Sequence, residues 1–204
     1  MVLGLLLMAG LPTAVGVTTG VAKAGDNPVD EEREAEMAKE CQLSVHCDLK
    51  TARGKKLHGK PLLLSKGKIV IGINDEQQQE QAEGMHFKGF FNTFPTEEED
   101  PKPRGFVCVG LGQPPEVGFL YIDKDTSEIK YGNKSTSTVH IHGSWDMTED
   151  SESILLEEEE LFVAVKSKAG VWSLYWDKND DGSTLPTGRP GIPVSIERSV
   201  IDEP

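Results

Sequence analysis

The sequence predicts a mainly β protein, an antiparallel sandwich or barrel of roughly ten short strands, with a short helical and apolar segment at its N-terminus. Two observations carry this prediction. From residue 43 onward, short runs rich in aliphatic and aromatic residues are separated by turns of Gly, Pro, Asn and Asp. No long apolar pattern with a 3.6-residue period interrupts these runs, which argues against an α/β architecture.

The composition is that of one globular domain with an acidic surface. The chain has 204 residues, enough for one well-packed core. It carries 34 Asp and Glu against 21 Lys and Arg, a net charge of -13. This charge repels phosphate backbones, and no stretch of the sequence concentrates enough Lys and Arg to reverse it locally. We therefore expect a single β-rich domain over residues 42–204 and no nucleic-acid partner.

Residues 1–24 form an apolar segment that fits either a secretory signal or a membrane anchor. Residues 1–22 carry no charged side chain, and Ala22-Lys23-Ala24 fits the small-x-small pattern of a signal-peptidase site. A retained anchor, with membrane association through residues 2–22, is equally compatible with this length of apolar chain. A soluble apolar helix is the third alternative. The segment predicts a secreted or membrane-associated protein, with a soluble intracellular location still open.

Residues 25–41 predict an acidic helical spacer between the apolar segment and the domain. Asn27 can cap the helix, Pro28 suits its first position, and Asp30 and Glu31 favour the positive end of the helix dipole. Few apolar residues are available for packing, so we expect a solvated helix.

Each predicted strand is a short apolar or alternating run bounded by turn residues. In chain order the predicted strands are residues 43–49, 62–64, 68–73, 85–94, 106–109, 117–122, 129–131, 138–145, 154–156, 161–166, 171–176 and 192–197. Residues 65–68 predict a hairpin turn, and residues 123–127 a tight turn closed by side chains on backbone amides. Residues 54–60 match a phosphate-binding P-loop only until Pro61 replaces the Ser or Thr, so they predict a basic surface loop.

His140 and His142 suggest a metal site. Residues two apart on a strand point to the same face, so both imidazoles could ligate one Zn²⁺ ion. A third ligand would come from His46, His58, His86, Cys47 or Asp146. This pattern supports a metal-dependent enzyme as an alternative function, while a polar outer strand face explains it without a metal.

A calcium loop is the most specific local pattern. Asp177, Asn179 and Asp181 occupy its first, third and fifth places, with Gly182 at the sixth. The twelfth place, where a bidentate Glu belongs, is Gly188. The pattern supports a calcium-stabilised structural module, and an ion-free turn rich in Asp and Asn is the alternative.

Two covalent features depend on the compartment. Cys41 and Cys47 could form a disulfide in an oxidising environment, whereas the alternative is that all three cysteines are buried thiols. Asn133 begins a glycosylation sequon, which matters only if the chain is secreted.

Five motifs resemble a group of small, uncharacterised ascomycete fungal proteins. The motifs are YIDKDT from Tyr121, KYGN from Lys130, GSWDMTED from Gly143, FVAV from Phe162 and GVWSLYWD from Gly170. The resemblance implies a shared fold and a fungal origin, and no reaction.

No set of residues converges on covalent catalysis, since the chain lacks a Gly-x-Ser-x-Gly elbow and a recognisable Cys nucleophile context. The leading functional hypothesis is therefore a non-enzymatic β-sheet domain that binds a protein partner or a small ligand.

Overall fold

The computed structural model of the chain describes residues 28–75, 80–81, 84–96, 101–112 and 114–201. The apolar segment 1–24 and Asn27 lie outside these ranges. Three helices are present there: α1 (Pro28–Met37), α2 (Ala52–Leu57) and α3 (Lys134–Ser137). The strands are β1 (Cys41–His46), β2 (Lys60–Ser65), β3 (Lys68–Ile71), β4 (Asn74–Asp75), β5 (Glu80–Gln81), β6 (Phe87–Thr93), β7 (Arg104–Gly110), β8 (Val117–Ile122), β9 (Ile129–Gly132), β10 (Trp145–Met147), β11 (Ile154–Leu156), β12 (Phe162–Lys166), β13 (Trp172–Trp176) and β14 (Gly191–Val200).

Ten of these strands form one sheet that closes on itself. Its order is β13-β12-β14-β1-β2-β3-β9-β8-β7-β6, and every pairing is antiparallel. Two further pairings close it: Ser173 of β13 pairs with Val70 of β3, and Cys41 of β1 pairs with Gly89 of β6. The predicted mainly β fold, an antiparallel barrel of short strands, is confirmed.

The core fills the inside of this barrel. Along β1, Cys41, Leu43 and Val45 point inward and are buried, which is the alternation that a barrel strand requires. The strands β12 and β13 are instead buried along almost their whole length. Four large aromatic residues of β10 and β13 are all buried, namely Trp145, Trp172, Tyr175 and Trp176. Each contributes roughly 1.5–3 kcal/mol by leaving water.

The strand predicted over residues 138–145 is wrong. The structure has α3 just before this range, an isolated bridge from Ile141 to Ile122, and β10 beginning only at Trp145. The reason is local: the Asn133 side chain caps α3 by accepting from the Thr136 amide at 3.0 Å. The Thr138 hydroxyl then donates to the Lys134 carbonyl at 2.8 Å. These side-chain bonds prevail over the β propensity of the Thr-rich run.

The helix α1 rests on the barrel through one apolar residue and several charges. Met37 is 1% exposed. Arg33 Nη2 lies 2.7 Å from Asp146 Oδ1, and the buried Arg198 Nη1 lies 3.1 Å from Glu36 Oε1. The solvated helix that the sequence predicts is therefore corrected at three positions, Arg33, Glu36 and Met37, which contact the rest of the domain. The other residues of its last two turns are exposed. None of the helices in the described ranges is long and apolar enough to cross a membrane.

Candidate functional site

A cleft of about 470 Å³ opens where α2, the turn after β12 and the segment before β14 meet. Four cationic residues line it: Arg53, Lys56, Lys166 and Arg189. The remaining lining residues are Ala52, Ser167, Trp172, Gly188 and Pro190. We call this the basic cleft. Among the described residues, the lining includes no carboxylate, although the chain as a whole has a net charge of -13.

One wall of the basic cleft is α2, in a stretch that was predicted to be a basic surface loop. That prediction is wrong because the stretch has a cap and an anchor. Thr51 Oγ1 accepts from the Gly54 amide at 3.1 Å, and Leu57 is fully buried. A Cβ on Gly54 would lie 2.2 Å from the Leu49 carbonyl oxygen, so the helix can approach this closely only with glycine. Arg53 lies one turn before Lys56, on the same helix face.

The opposite wall comes from the β12–β13 hairpin and the segment before β14. Lys166 and Trp172 are cross-strand partners at the end of the hairpin. Ser167 Oγ accepts from the Val171 amide at 3.1 Å, which fixes the turn between them. Gly188 adopts φ +74°, a left-handed conformation that favours glycine, and so places Arg189 at the cleft.

The guanidinium groups of Arg53 and Arg189 are available to a ligand. Neither guanidinium donates a hydrogen bond to a residue in the described part of the chain, whereas Lys56 and Lys166 each already have an interaction. Arg53 is exposed and Arg189 half-buried. Burial raises the pKa of Tyr175, the Glu128 carboxylate raises it further, and Arg189 opposes the rise. Arg189 is thus close enough to Tyr175 to affect its ionisation.

An acidic pocket of about 150 Å³ lies at the end of β12, β13 and β14 that is opposite the basic cleft. Its acidic lining residues are Glu160, Asp177 and Asp180. Asp177 is buried, and its two oxygens accept from the Gly182 amide at 2.8 Å and the Thr184 hydroxyl at 2.9 Å. In this acidic pocket, the Asp177 carboxylate therefore already accepts hydrogen bonds from its own loop.

The predicted calcium ligands lie in this loop as parts of a self-contained turn. Besides the two bonds of Asp177, Asp181 Oδ1 accepts from the Ser183 amide at 2.8 Å, and Asn179 Nδ2 donates to Ser183 Oγ at 3.4 Å. The described residues contain no group of three or more His, Cys, Asp or Glu side chains arranged to hold a metal ion. The calcium prediction gains no support from this geometry.

His140 and His142 do not share a strand face, because the strand predicted for them does not form. The His140 ring stacks on Tyr121 with 4.9 Å between centroids, while the His142 ring packs against Phe94 at 4.0 Å. His142 Nδ1 lies 3.1 Å from the carbonyl oxygen of His140. The zinc prediction therefore loses the observation on which it rested.

The cysteines are free and buried. Cys41 and Cys47 lie six residues apart on an extended strand that rises about 3.3 Å per residue, so they are about 20 Å apart and cannot form a disulfide. This geometry gives the predicted disulfide no support and agrees with the alternative of buried thiols. Burial raises the pKa of the Cys41 and Cys108 thiols, which makes both poor nucleophiles. Asn133 is exposed, and its glycosylation stays a prediction.

His46 forms a charge cluster beside the acidic pocket. Its Nδ1 lies 2.7 Å from Glu197 Oε1, its Nε2 lies 3.0 Å from Asp48 Oδ1, and its ring contacts that of His58 edge-on. The Asp48 hydrogen bond raises the pKa of His46, burial opposes it, and Glu197 raises it further. From the sequence, His46 was predicted only as a candidate metal ligand, and this charge cluster was not predicted.

Sequence reasoning also missed the basic cleft, because its four cations are spread from residue 53 to residue 189. The one local signal was the basic stretch of residues 54–60, which belongs in part to α2.

One comparison with known proteins identifies a family. A family model described as the fungal beta-trefoil domain matches residues 16–202. No curated protein and no solved structure matches the chain.

Proposed function

The chain belongs to the fungal β-trefoil domain family, and we propose that it is a non-enzymatic binding domain that holds a small ligand in the basic cleft. The fungal origin and the β fold expected from the sequence motifs agree with this membership. A protein partner is the alternative to the small ligand. The observation that carries the proposal is the cleft itself, since its volume lies in the range of about 300–1,000 Å³ that is usual for small-molecule sites.

The chemistry of the lining supports binding rather than turnover. Nucleophilic catalysis needs a nucleophile beside a general base. Within the described part of the chain, the only hydroxyl in the lining belongs to Ser167, whose Oγ already accepts a hydrogen bond from the Val171 amide. The described lining residues include no His, Cys, Asp or Glu. Charged and aromatic side chains held by three elements instead favour recognition.

The test is a ligand screen by native mass spectrometry, with each hit incubated and reanalysed for chemical conversion. Ala52 is exposed and lines the cleft, so Ala52→Phe fills the cleft without removing a charge. Ala35 is exposed on α1, away from the cleft, and Ala35→Phe is the matched control. We expect hits whose binding is lost in Ala52→Phe, retained in Ala35→Phe, and accompanied by no conversion.

Two results would reject the proposal. Turnover of a hit by the wild type, lost in Ala52→Phe, would make the protein an enzyme. Hits unaffected by Ala52→Phe would place the binding surface elsewhere. Metal analysis of the same preparation tests the remaining hypotheses, a metal-dependent enzyme at His140 and His142 and a calcium module at Asp177.

The proposed location, secreted or membrane-associated, is tested separately. The intact mass of the protein from its native host, with its N-terminus determined, distinguishes the two forms. A start at Gly25, with sugar on Asn133, supports secretion. An unglycosylated chain that begins at Met1 supports retention of the apolar segment and gives no support to secretion.

A further inference from the structure

We infer that the ligand of the basic cleft is a small polyanion, a molecule with two or more phosphate, sulfate or carboxylate groups. This inference rests on the proposed function, because it assigns a ligand class to the same cleft. It is carried by the juxtaposition of Arg53 on α2 with Arg189 before β14, in a cleft whose described lining residues include no acidic side chain.

Two guanidinium groups suit oxyanions for a geometric reason. Each presents N–H donors in a planar fork that matches two oxygens of a phosphate, sulfate or carboxylate. The guanidinium groups of Arg53 and Arg189 donate to no described residue, so those donors are not already committed within that part of the chain. Two such forks on opposite walls favour a ligand with two anionic groups over one with a single charge.

The ammonium groups of Lys56 and Lys166 add positive potential at the same place. Both already have interactions, so the inference does not depend on their forming direct bonds to the ligand. Their charges still raise the local concentration of anions in a cleft with low-dielectric walls. Trp172 contributes an apolar wall that is 5% exposed.

The size of the cleft and the surrounding charge argue for a small ligand rather than a polymer. A nucleic acid or another long polyanion would extend beyond the roughly 470 Å³ of the cleft onto a surface whose overall charge is strongly negative. A small molecule confined to the cleft meets the four cations and avoids that repulsion.

Isothermal titration calorimetry of the full chain with pyrophosphate tests the inference. Citrate serves as the carboxylate probe, and glycerol as a neutral one. We expect saturable binding of one pyrophosphate that weakens as NaCl is raised, and no binding of glycerol. The Arg53→Glu, Arg189→Glu double variant should lose at least about tenfold in affinity, because a hydrogen bond to a charged group contributes roughly that factor.

The matched control is the Lys102→Glu, Lys124→Glu double variant. Both lysines are exposed and outside the cleft, and the two pairs of substitutions remove the same positive charge. Affinity within about twofold of the wild type is expected for this control, since distant exposed charges are screened by salt. Circular dichroism confirms folding, and Arg53→Gln with Arg189→Gln is the milder pair if the first is unstable.

The inference is overturned if neither pyrophosphate nor citrate binds, or if the control pair weakens binding as much as the cleft pair does. These failures differ from failure of the proposed function. A neutral ligand that binds the wild type and is excluded by Ala52→Phe would leave the cleft as the binding site while rejecting the polyanion. Tighter binding of a long polyanion than of pyrophosphate, lost in the cleft pair, would reject the small ligand.

Discussion

The two ends of the β12–β13–β14 unit carry opposite charge and use it differently. At the acidic end, both oxygens of Asp177 accept hydrogen bonds from its own loop, and Glu160 accepts from the Ser195 hydroxyl at 3.2 Å. At the basic end, Arg53 and Arg189 make no such bonds within the described residues. The two ends are only about four residues of strand apart, roughly 13 Å.

This difference separates charges that hold the fold from charges available to a ligand. A buried carboxylate with two donors stabilises its loop, and its removal leaves those donors unpaired. An exposed guanidinium without a protein partner adds little to stability and retains its donors for an anion. Removal of a charged side chain should therefore lower stability at the acidic end and ligand affinity at the basic end.

The largest expected effect comes from Gly54→Ala, which tests whether the basic end depends on the position of α2. Since the new Cβ would lie 2.2 Å from the Leu49 carbonyl oxygen, α2 must shift. We expect a loss of about 1–3 kcal/mol in the free energy of unfolding, measured by urea denaturation, as for other overpacked sites. Pyrophosphate affinity should fall in the same variant.

A Gly54→Ala variant with wild-type stability and affinity would contradict the account of this wall. Gly59→Ala is not a suitable control, because Gly59 has φ +72° and is strained for another reason. Ala52→Gly, on the same helix, changes the helix without a clash and is the better comparison.

Asp177→Ala should mainly affect stability. Its side chain is 5% exposed and accepts from Gly182 and Thr184, so its removal should cost about 1–3 kcal/mol of unfolding free energy. Pyrophosphate affinity should stay within about twofold of the wild type if the two ends are independent. Thermal unfolding and calorimetry of the same preparation measure both quantities.

A melting temperature of the wild type that rises with calcium would show that the loop of Asp177 binds the ion.

The pH dependence of stability is a further test of the acidic end, because His46 titrates beside the acidic pocket. Its raised pKa means that the folded state favours the protonated ring between Asp48 and Glu197. The stabilisation is fully present below the unfolded pKa of about 6.5 and is lost as the pH rises through the folded value. The free energy of unfolding should therefore decline with pH in this window.

His46→Gln removes the titrating group and should flatten that decline. His86 lies outside the cluster, so His86→Gln is the matched control and should keep the pH dependence of the wild type. An unchanged slope in His46→Gln would indicate that another group is responsible.

The smallest expected effect is that of Arg53→Gln on stability. Arg53 is exposed and its guanidinium makes no hydrogen bond to the described residues, so the free energy of unfolding should change by less than about 0.5 kcal/mol. Urea denaturation measures this change. A larger loss of unfolding free energy would mean that Arg53 stabilises the fold and that its guanidinium is not free to bind a ligand.

Sequence reasoning succeeded where the signal was local. The alternation in residues 43–49 and the turn at residues 123–127 predicted structure that is present: Asp123 Oδ1 accepts from the amides of Asp125 and Thr126. Burial favours a higher pKa for Asp123, but the Lys130 hydrogen bond and the Asp125 amide outweigh it and lower the pKa to about 2. Such turns are encoded within five residues.

Prediction from the sequence failed where the structure depends on contacts between distant parts of the chain or on competing local hydrogen bonds. Nothing near Arg53 in the sequence indicates that Arg189 will face it across a cleft, because the barrel topology brings them together. The pairing of His140 with His142 failed because Asn133 capped a helix upstream and no strand formed.

The most direct test of the central claim is a crystal structure of the full chain soaked in sodium tungstate, a tetrahedral oxyanion with strong anomalous scattering. The account predicts an anomalous peak in the basic cleft, within hydrogen-bond reach of the guanidinium groups of Arg53 and Arg189. Peaks confined to other surfaces, or a cleft without a peak in a crystal whose cleft is open to solvent, would contradict it.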